Sequence, residues 1–365
     1  MLDGVRVLDL TQFLPGPAMT CAMADQGARV LKVEPPAGDP ARDQGPFEAG
    51  HSIWFRQLNR GKRSITLDLK SEAGAAHLTR LIAEADVLVE GFRPGAMARL
   101  GFDASSARAI NPRLIYVSIS AFGQAGERAH HPAHDLVVQA LAGFLSVNDG
   151  PDGAPVVPGV ASADLAAGLT ALAAVAMALY ARERTGDGAT LDIAMFDSLL
   201  PWMAHTAGAA IAGGEAPRSA EQRSLGGAAF YRPYRTADGR WIVLGGRELK
   251  FARNLLEALG RPDLYRLAEA PPGAAQAVLT EFLRETLAER TRDEWEAWFA
   301  DKDVAFAPVL DFREALAQPA VAERLLRHFA GGAHHLAPAI PPPTGWEPSE
   351  PPPLGAVNVV PAAPW

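Results

Sequence analysis

The chain has 365 residues, of which 48% are hydrophobic and 21% are charged, and its formal net charge is −8. This length predicts two domains, and the composition is typical of a globular protein rather than a disordered or fibrous one. The negative charge and the lack of a run rich in Lys and Arg argue against nucleic-acid binding. The only cysteine, Cys21, excludes a disulfide within the chain and permits a reducing compartment, so we expect a cytoplasmic location.

Strands and helices alternate along the first part of the chain. The segments that predict strands are residues 5–10, 29–34, 64–69, 86–92 and 114–122. Apolar strands separated by helices predict a mostly parallel sheet covered on both faces. The stretch PGPAMTC after the first strand has one glycine where a dinucleotide fingerprint needs three, so this sheet does not imply NAD binding.

An apolar run at residues 165–180 predicts a long helix. The run is shorter than the roughly 20 residues that span a bilayer, so we expect a buried core helix and no membrane contact. A helix start near Ser162 or Ala163 puts Asp164 in the first turn, where free N–H groups and the helix dipole stabilise an anion. Asp164 is therefore either a cap or a functional carboxylate that stays ionised at the mouth of a cleft.

The later part of the chain predicts a second domain. A polar connector at 214–227 precedes a hairpin with its turn at 237–239, and helices follow at about 248–259, 273–289 and 292–300. The predicted fold class is α/β, with a Rossmann-like large domain and a smaller α+β domain. The expected bounds are 1–215 for the large domain, completed by a Pro-rich return at 330–365, and 226–325 for the small one.

Two further titratable residues have both a structural and a functional interpretation. His134 precedes an acid and an apolar stretch, and is either a half-buried structural histidine or an acid–base group. Glu248 follows a Gly-Gly pair and begins a helix, where acidic residues are common. The neighbouring His130 and His131 show no metal-ligand spacing with an acid, so we expect them in solvent and predict no metal site.

Basic residues recur at predicted strand ends. Arg60, Lys62 and Arg63 lie in NRGKRS, and Arg93 lies in EGFRPG. Surface charge alone explains many such clusters, but loops at strand ends collect ligands in α/β sheets, and Arg and Lys suit phosphates. The sequence therefore offers a candidate phosphate site.

Eight segments in register carry a resemblance to a known family: GVRVLDLTQFLPGP, ARVLKVEPPAGDPAR, LNRGKRSITLDLK, DVLVEGFRPGAMARLG, NPRLIYVSISAFGQAG, HDLVVQALAG, ASADLAAG and YARERTGDGATLDIAM. The chain resembles the family III CoA-transferases, the CaiB/BaiF group, which includes the α-methylacyl-CoA racemases. The resemblance implies an interlocked homodimer, acyl-CoA and a carboxylic acid acceptor as substrates, and no permanently bound cofactor.

The resemblance also assigns roles to residues. In a transferase, Asp164 attacks the acyl-CoA thioester and forms a mixed anhydride and then an aspartyl-CoA thioester. Gln12 is expected near the thioester. The basic residues named above, Arg60, Lys62, Arg63 and Arg93, are expected to meet the phosphates and adenine of CoA.

Two alternatives stay open at this point. In a racemase, His134 and Asp164 would exchange the α-proton of the acyl group, and Glu248 coincides with a racemase Glu; a carboxylate near His134 would then orient its ring. A non-catalytic CoA-binding protein is the third interpretation. The broader segments favour the transferase, because they cover more residues than the two-site racemase pattern.

Overall fold

The structure is a computed structural model. It describes residues 1–150, 152–328, 332–347, 349–358 and 365. The chain forms two compact units, which are residues 1–142, 159–202 and 318–365 for the first and residues 143–158 and 203–317 for the second.

The strands of the described residues are β1 Arg6–Asp9, β2 Arg29–Glu34, β3 Phe47–Glu48, β4 His51–Ser52, β5 Arg63–Thr66, β6 Val87–Glu90, β7 Ile115–Ser120, β8 Ala189–Ala194, β9 Tyr231–Arg235, β10 Trp241–Gly245, β11 Phe306–Pro308, β12 Leu326–His328 and β13 His334–Leu336. The α-helices are α1 Pro15–Asp25, α2 Ile53–Asn59, α3 Glu72–Glu84, α4 Ala96–Arg99, α5 Ala104–Ile110, α6 Asp135–Leu141, α7 Ser162–Thr185, α8 Met195–Trp202, α9 Ala204–Ile211, α10 Leu249–Ala258, α11 Tyr265–Glu269, α12 Ala277–Leu287, α13 Arg292–Phe299, α14 Phe312–Ala317 and α15 Pro319–Arg324.

Local sequence signals set many helix starts. Ser52, Ser71, Asp103 and Thr291 each precede a helix and accept a hydrogen bond from a backbone N–H of its first turn. Pro15 occupies the first position of α1, where a missing N–H costs nothing. The chain therefore begins these helices where its own side chains can satisfy the free backbone donors.

The first unit is built on a six-stranded parallel sheet in the order β5-β2-β1-β6-β7-β8. Its central strands are apolar and buried on both faces, as Val7 and Leu8 on β1 show with no exposed surface. Helices α3 and α5 contribute to the core on one face, and α7 contacts β7 and β8. The predicted α/β fold with a parallel sheet is confirmed.

The strand order reverses at β1, which lies between β2 and β6. In an open α/β sheet, the loops that follow the two central strands separate at this point and leave a crevice at the carboxyl ends of the strands. Here those loops are residues 10–14 after β1 and residues 91–95 after β6. The topology therefore predicts a ligand site between these two loops.

Helix α7 is longer and more exposed than the apolar run predicts. By length and composition it could cross a membrane, and it is the one helix of the described residues that passes this test. One face packs into the unit at close range: a Cβ on Gly168 would lie 2.8 Å from the carbonyl oxygen of Pro15. The other face leaves Leu169, Met177 and Tyr180 exposed by 51%, 66% and 66%. The expectation of a buried core helix is thus correct for one face only.

The second unit contains the antiparallel sheet β11-β10-β9 and helices α10 to α13. The predicted hairpin is confirmed, with Trp241 paired to Arg235 across the turn. Its core includes Leu255, Leu283 and Trp295, all nearly free of solvent contact. The third strand, β11, has three residues and is too short to give a periodic signal in the sequence.

The unit boundaries differ from the expected ones at 215, 226 and 325. Residues 143–158 belong to the second unit, where Ser219 donates a hydrogen bond to Asp149. The chain passes from the first unit to the second after Trp202, and not at the predicted polar connector of residues 214–227. Pro201 lies in the last turn of α8, next to this boundary, and proline lacks the N–H that a continuing helix would use.

The carboxyl-terminal segment lies along the edge strand β5. Val357 N–H donates to the Ser64 carbonyl at 3.0 Å, and the Asn358 side chain accepts from Thr66 N–H at 2.8 Å. These bonds satisfy backbone groups that an edge strand would otherwise expose. The predicted return is described over 332–347, 349–358 and 365, and its other residues lie outside the described part of the chain.

Candidate active site

A cavity of about 650 Å³ lies at the point where the strand order reverses. Its walls come from the loops after β1, β6 and β7, from the segment that leads into α6, and from the first turn of α7. The polar and charged side chains relevant to chemistry that line it are Gln12, Arg93, Arg99, His130, His131, His134 and Asp164. The structure thus brings four of the predicted site residues, Gln12, Arg93, His134 and Asp164, to one cavity.

Asp164 lies in the first turn of α7, as the sequence predicts. The N-cap residue is Ala161, whose side chain cannot cap the helix, and Asp135 supplies an acceptor from another element. Asp135 Oδ1 accepts from the N–H groups of Ala163 at 2.8 Å and Asp164 at 3.3 Å. The Asp164 carboxyl itself has no hydrogen-bond or ion-pair partner among the described residues. It is therefore a half-buried acid free to meet a ligand.

The ionisation of Asp164 differs from the expectation. Burial, followed by the negative charge of Asp135, raises the pKa of Asp164 to about 7. The helix N-terminus does not offset this, because Asp135 already accepts from the first-turn N–H groups that would stabilise the Asp164 anion. This shift opposes the expected full ionisation of Asp164, because a carboxyl with a pKa of about 7 is only partly ionised at neutral pH.

His134 occupies the N-cap position of α6, is exposed, and lines the cavity. No carboxylate of the described residues bonds its ring. The adjacent Asp135 instead accepts from Gln139 Nε2 and from the start of α7. The orienting carboxylate that the racemase interpretation expects at His134 is therefore not found in the described part of the chain.

Sequence reasoning missed three of the residues that line the cavity. His130 and His131 are exposed, as expected, but they also line this cavity, and the His131 ring lies 5.7 Å from that of Phe122. Arg99 ends the short helix α4, which begins after Gly95 in a left-handed conformation with φ 80°. The sequence signal that could have identified Arg99 is its position after β6, in the same segment as Arg93.

The other three predicted CoA contacts do not line this cavity. Arg60 pairs with Asp25, with N–O distances of 3.0 and 2.6 Å, and is nearly buried. Lys62 Nζ lies 2.9 Å from Asp9 and is also buried. Arg63 donates to the carbonyl oxygen of Trp365 at 2.7 Å. Each cation has a partner within the chain, and its contact with CoA stays a prediction.

Glu248 lies in the second unit, at the exposed N-cap position of α10, without a side-chain capping bond. Its start-of-helix position agrees with the sequence analysis, and its catalytic role stays a prediction. Among the described residues, no group of three or more His, Cys, Asp or Glu side chains could hold a metal ion.

Comparisons with known proteins identify the family of the chain. The chain matches the family model described as CoA-transferase family III over residues 2–355. It is 39% identical over 336 residues to acetyl-CoA:oxalate CoA-transferase from Acetobacter aceti, covering 90% of this chain and 86% of that protein. It is 35% identical over 342 residues to succinate–glutarate CoA-transferase from Agrobacterium fabrum, covering 89% and 84%.

Solved structures show the same architecture. A CAIB/BAIF family protein from Brucella suis superposes with a TM-score of 0.84 at 32% identity, covering 97% of this chain and 96% of that one. Rv3272 from M. tuberculosis superposes with a TM-score of 0.83 at 31% identity, covering 98% of both chains. The chain belongs to CoA-transferase family III and is an enzyme that acts on acyl-CoA thioesters.

Proposed function

We propose that this enzyme moves CoA from an acyl-CoA to a carboxylic acid by covalent catalysis at Asp164. The observation that carries the proposal is the Asp164 carboxyl, which lines the cavity at the reversal of strand order without a described partner. A carboxylate is a nucleophile only when ionised, and a pKa of about 7 gives Asp164 both a substantial ionised fraction and high basicity at neutral pH.

The proposed chemistry needs no bound cofactor. Asp164 attacks the thioester carbonyl, so the C–S bond breaks and a mixed anhydride forms with free CoA thiolate. The thiolate attacks the aspartyl carbonyl, which releases the first carboxylate and leaves an aspartyl-CoA thioester. The acceptor carboxylate attacks that thioester, so its C–S bond breaks, a second anhydride forms and CoA thiolate is released again. CoA thiolate then attacks the acceptor acyl carbonyl, which releases the new acyl-CoA and restores Asp164.

Positive groups on the cavity wall support anionic substrates. Arg93 and Arg99 follow β6, and their guanidinium groups have no hydrogen-bond or ion-pair partner among the described residues. We assign them to phosphate or carboxylate groups of the substrates, since guanidinium groups bind both in a bidentate manner. Gln12, on the loop after β1, is assigned to the thioester carbonyl, to which its amide can donate.

We further propose a small dicarboxylic acid as the acceptor. The two relatives described above are named for oxalate and glutarate, which are both dicarboxylates. The imidazoles of His130 and His131 on the cavity wall can donate hydrogen bonds to a second carboxylate. Acceptor competition with matched mono- and dicarboxylic acids measures this preference, and equal rates for both classes would contradict it.

The decisive test is trapping of the intermediate. Wild-type enzyme incubated with acyl-CoA should gain the mass of CoA less one water on the peptide that holds Asp164, and hydroxylamine should release the CoA. Asp164→Ala should abolish transfer and the adduct while CoA binding, measured by calorimetry, stays nearly unchanged. Transfer at the wild-type rate in Asp164→Ala removes Asp164 from the mechanism.

A racemase acting on 2-methylacyl-CoA is the second candidate, because His134 and Asp164 line the same cavity. Incubation of a chiral 2-methylacyl-CoA in deuterated water separates the two functions. Deuterium at the α-carbon without an acceptor supports the racemase, whereas CoA transfer to an added acid supports the transferase. His134→Ala should be severe for a racemase and milder for a transferase.

We also propose that two copies form a homodimer that covers the apolar face of α7. The side chains of Met177 and Tyr180 are two-thirds exposed in one chain and lie three residues apart on α7, and exposed apolar patches mark interaction sites. Sedimentation should give a dimer at micromolar concentration, and Met177→Lys should shift it toward monomer. A wild-type monomer would contradict the proposal.

A further inference from the structure

A fully buried network of charges lies beneath the cavity. Asp9, at the end of β1, and Lys32, near the end of β2, have no exposed surface, and the Lys62 ammonium is likewise covered. Lys62 Nζ lies 2.9 Å from Asp9, and Lys32 Nζ lies 2.8 Å from Asp39. Burial of two ion pairs is costly unless their remaining donors and acceptors are also hydrogen-bonded. The other hydrogen bonds of these charged groups therefore show which part of the chain the network holds.

These hydrogen bonds hold the chain at two points along the segment that joins β1 to α1. Lys32 donates to the Thr11 carbonyl at 2.8 Å, and Lys62 donates to the Pro17 carbonyl at 3.1 Å. Asp9 accepts from the Thr11 N–H at 2.9 Å and from the Thr20 hydroxyl at 2.7 Å. The network thus fixes the chain on both sides of residues 12–16.

The loop between these anchors forms part of the cavity wall. Gln12, Phe13, Pro15 and Gly16 all line it, and Phe13 has a φ of 62°, which is unusual for a residue with a side chain. A backbone conformation of this kind persists only where its surroundings hold it.

The same loop contacts the helix that holds the nucleophile. The Pro15 carbonyl lies so close to Gly168 that a Cβ there would be 2.8 Å away. Gly168 is four residues after Asp164, one turn along the same face of α7. A shift of the loop therefore changes the contact surface beside the nucleophile.

We propose that Lys62, together with Asp9, is a positioning residue that fixes residues 11–17, which comprise the end of the loop after β1 and the first turn of α1, and so sets the position of Gln12 relative to Asp164. This inference rests on the proposed transferase function. It replaces the phosphate contact expected for Lys62 with an internal one, because its ammonium already bonds Asp9, Asn59 and the Pro17 carbonyl.

The first test replaces Lys62 by Met in the full chain. Transfer turnover should fall by about 10²-fold, since a displacement of about 1 Å of a positioned group costs this much. The affinity for CoA should change by less than about threefold, because the Lys62 ammonium bonds the protein itself rather than the ligand. The ratio of affinities for CoA and 3′-dephospho-CoA should equal that of the wild type. A variant that loses this discrimination identifies Lys62 as a phosphate ligand and overturns the proposal.

Lys62→Met leaves the buried Asp9 carboxylate without its ion-pair partner and can prevent folding. Two companion variants avoid this problem. Asp9→Asn/Lys62→Met removes both charges, a change that buried ion pairs often tolerate. Thr20→Val deletes one donor to Asp9 in a nearly isosteric way. Both should fold and still show lowered turnover. Folded variants with wild-type turnover refute the positioning role.

A readout independent of activity separates this inference from the proposed function. Amide hydrogen exchange in peptides that cover residues 10–18 should become faster in the Lys62 and Thr20 variants. The matched control is Arg182→Met, which breaks the 2.9 Å pair with Asp86 at the far end of α7 and should leave this exchange and turnover unchanged. Faster exchange in an enzyme that shows no transferase activity would uphold the anchoring and reject the proposed function. Unchanged exchange rejects the anchoring itself.

Discussion

Asp135 accepts hydrogen bonds from the N–H groups of Ala163 and Asp164, and so occupies the helix terminus that Asp164 would otherwise use. Two carboxylates therefore share one positive helix end, and only one of them benefits from it. Asp135 is bonded, whereas Asp164 is half-buried beside a negative charge, which raises the pKa of Asp164 to about 7.

The pH dependence of transfer should follow the ionisation of Asp164. Because only the carboxylate attacks, kcat/KM should rise with pH and level off above about 7, the pKa of Asp164 in the free enzyme. Asp135→Asn removes the nearby charge while its side-chain oxygen can still accept from α7, so the acid limb should move to lower pH. A pH–rate series measures this. A limb that stays in place in Asp135→Asn but vanishes in His134→Ala would assign it to the histidine instead.

Asp164→Asn should stabilise the protein at alkaline pH. Between its ordinary value of 3.8 and about 7, the native state keeps a proton on Asp164 that the unfolded chain releases, so wild-type stability falls as pH rises through this range. The free energy of unfolding of Asp164→Asn at pH 8 should exceed that of the wild type by about 1–3 kcal/mol.

Urea unfolding at pH 8 and pH 4, at one protein concentration, measures this difference. The gain should be largest at pH 8 and nearly absent at pH 4, where the native carboxyl is protonated. The exposed Asp187→Asn is the control and should change stability by less than about 0.5 kcal/mol at either pH. A gain of equal size at both pH values would assign it to packing rather than to charge.

Arg99→Ala should weaken CoA binding. A charge-assisted hydrogen bond contributes about 1.5–3 kcal/mol, so the Kd for CoA should rise by about 10- to 100-fold, and binding should become less sensitive to salt. Calorimetry at two ionic strengths measures both effects. Arg29→Ala removes an exposed cation at the amino end of β2 and should leave the Kd unchanged. An equal loss in both variants would indicate general charge attraction rather than a contact.

Gly168→Ala should destabilise the first unit. The added Cβ would lie 2.8 Å from the Pro15 carbonyl oxygen, and this clash can be relieved only if the backbone moves. We therefore expect the free energy of unfolding to fall by about 1–3 kcal/mol. Gly208→Ala in α9 is the matched change, because no atom lies within 4 Å of its added Cβ. It should be neutral or stabilise by up to about 1 kcal/mol. Thermal melts compare the two, and equal behaviour would contradict the close contact between α1 and α7.

Local pattern predicted most elements of the fold. The strand at Arg29–Glu34 has the predicted bounds, α7 begins at Ser162, and the hairpin turn lies between β9 and β10. Each has a short-range cause: apolar runs for buried strands, a polar turn between strands, and an alanine-rich run for the helix. The three-residue β11 and the exposed face of α7 had no such cause in the sequence.

The residues of the candidate site also fall into those that the sequence predicted and those that it did not. Asp164, His134 and Arg93 were found from the sequence, because residue type and position at strand ends or helix starts mark them, and Gln12 was found through the family resemblance. Arg99 lies in the same segment after β6 as Arg93 and was still missed, because the local sequence does not show that the short helix α4 brings it to the cavity.

The sequence alone determined the order of strands and helices, the family, and which acid begins the long helix, since these depend on local pattern and motif. Only the tertiary structure decided that Asp135 occupies the start of that helix, that Lys62 is buried against Asp9, and that Arg99 faces the cavity. Protonation, burial and pairing depend on groups 29 to 53 residues away along the chain, and folding alone brings those groups within a few ångströms.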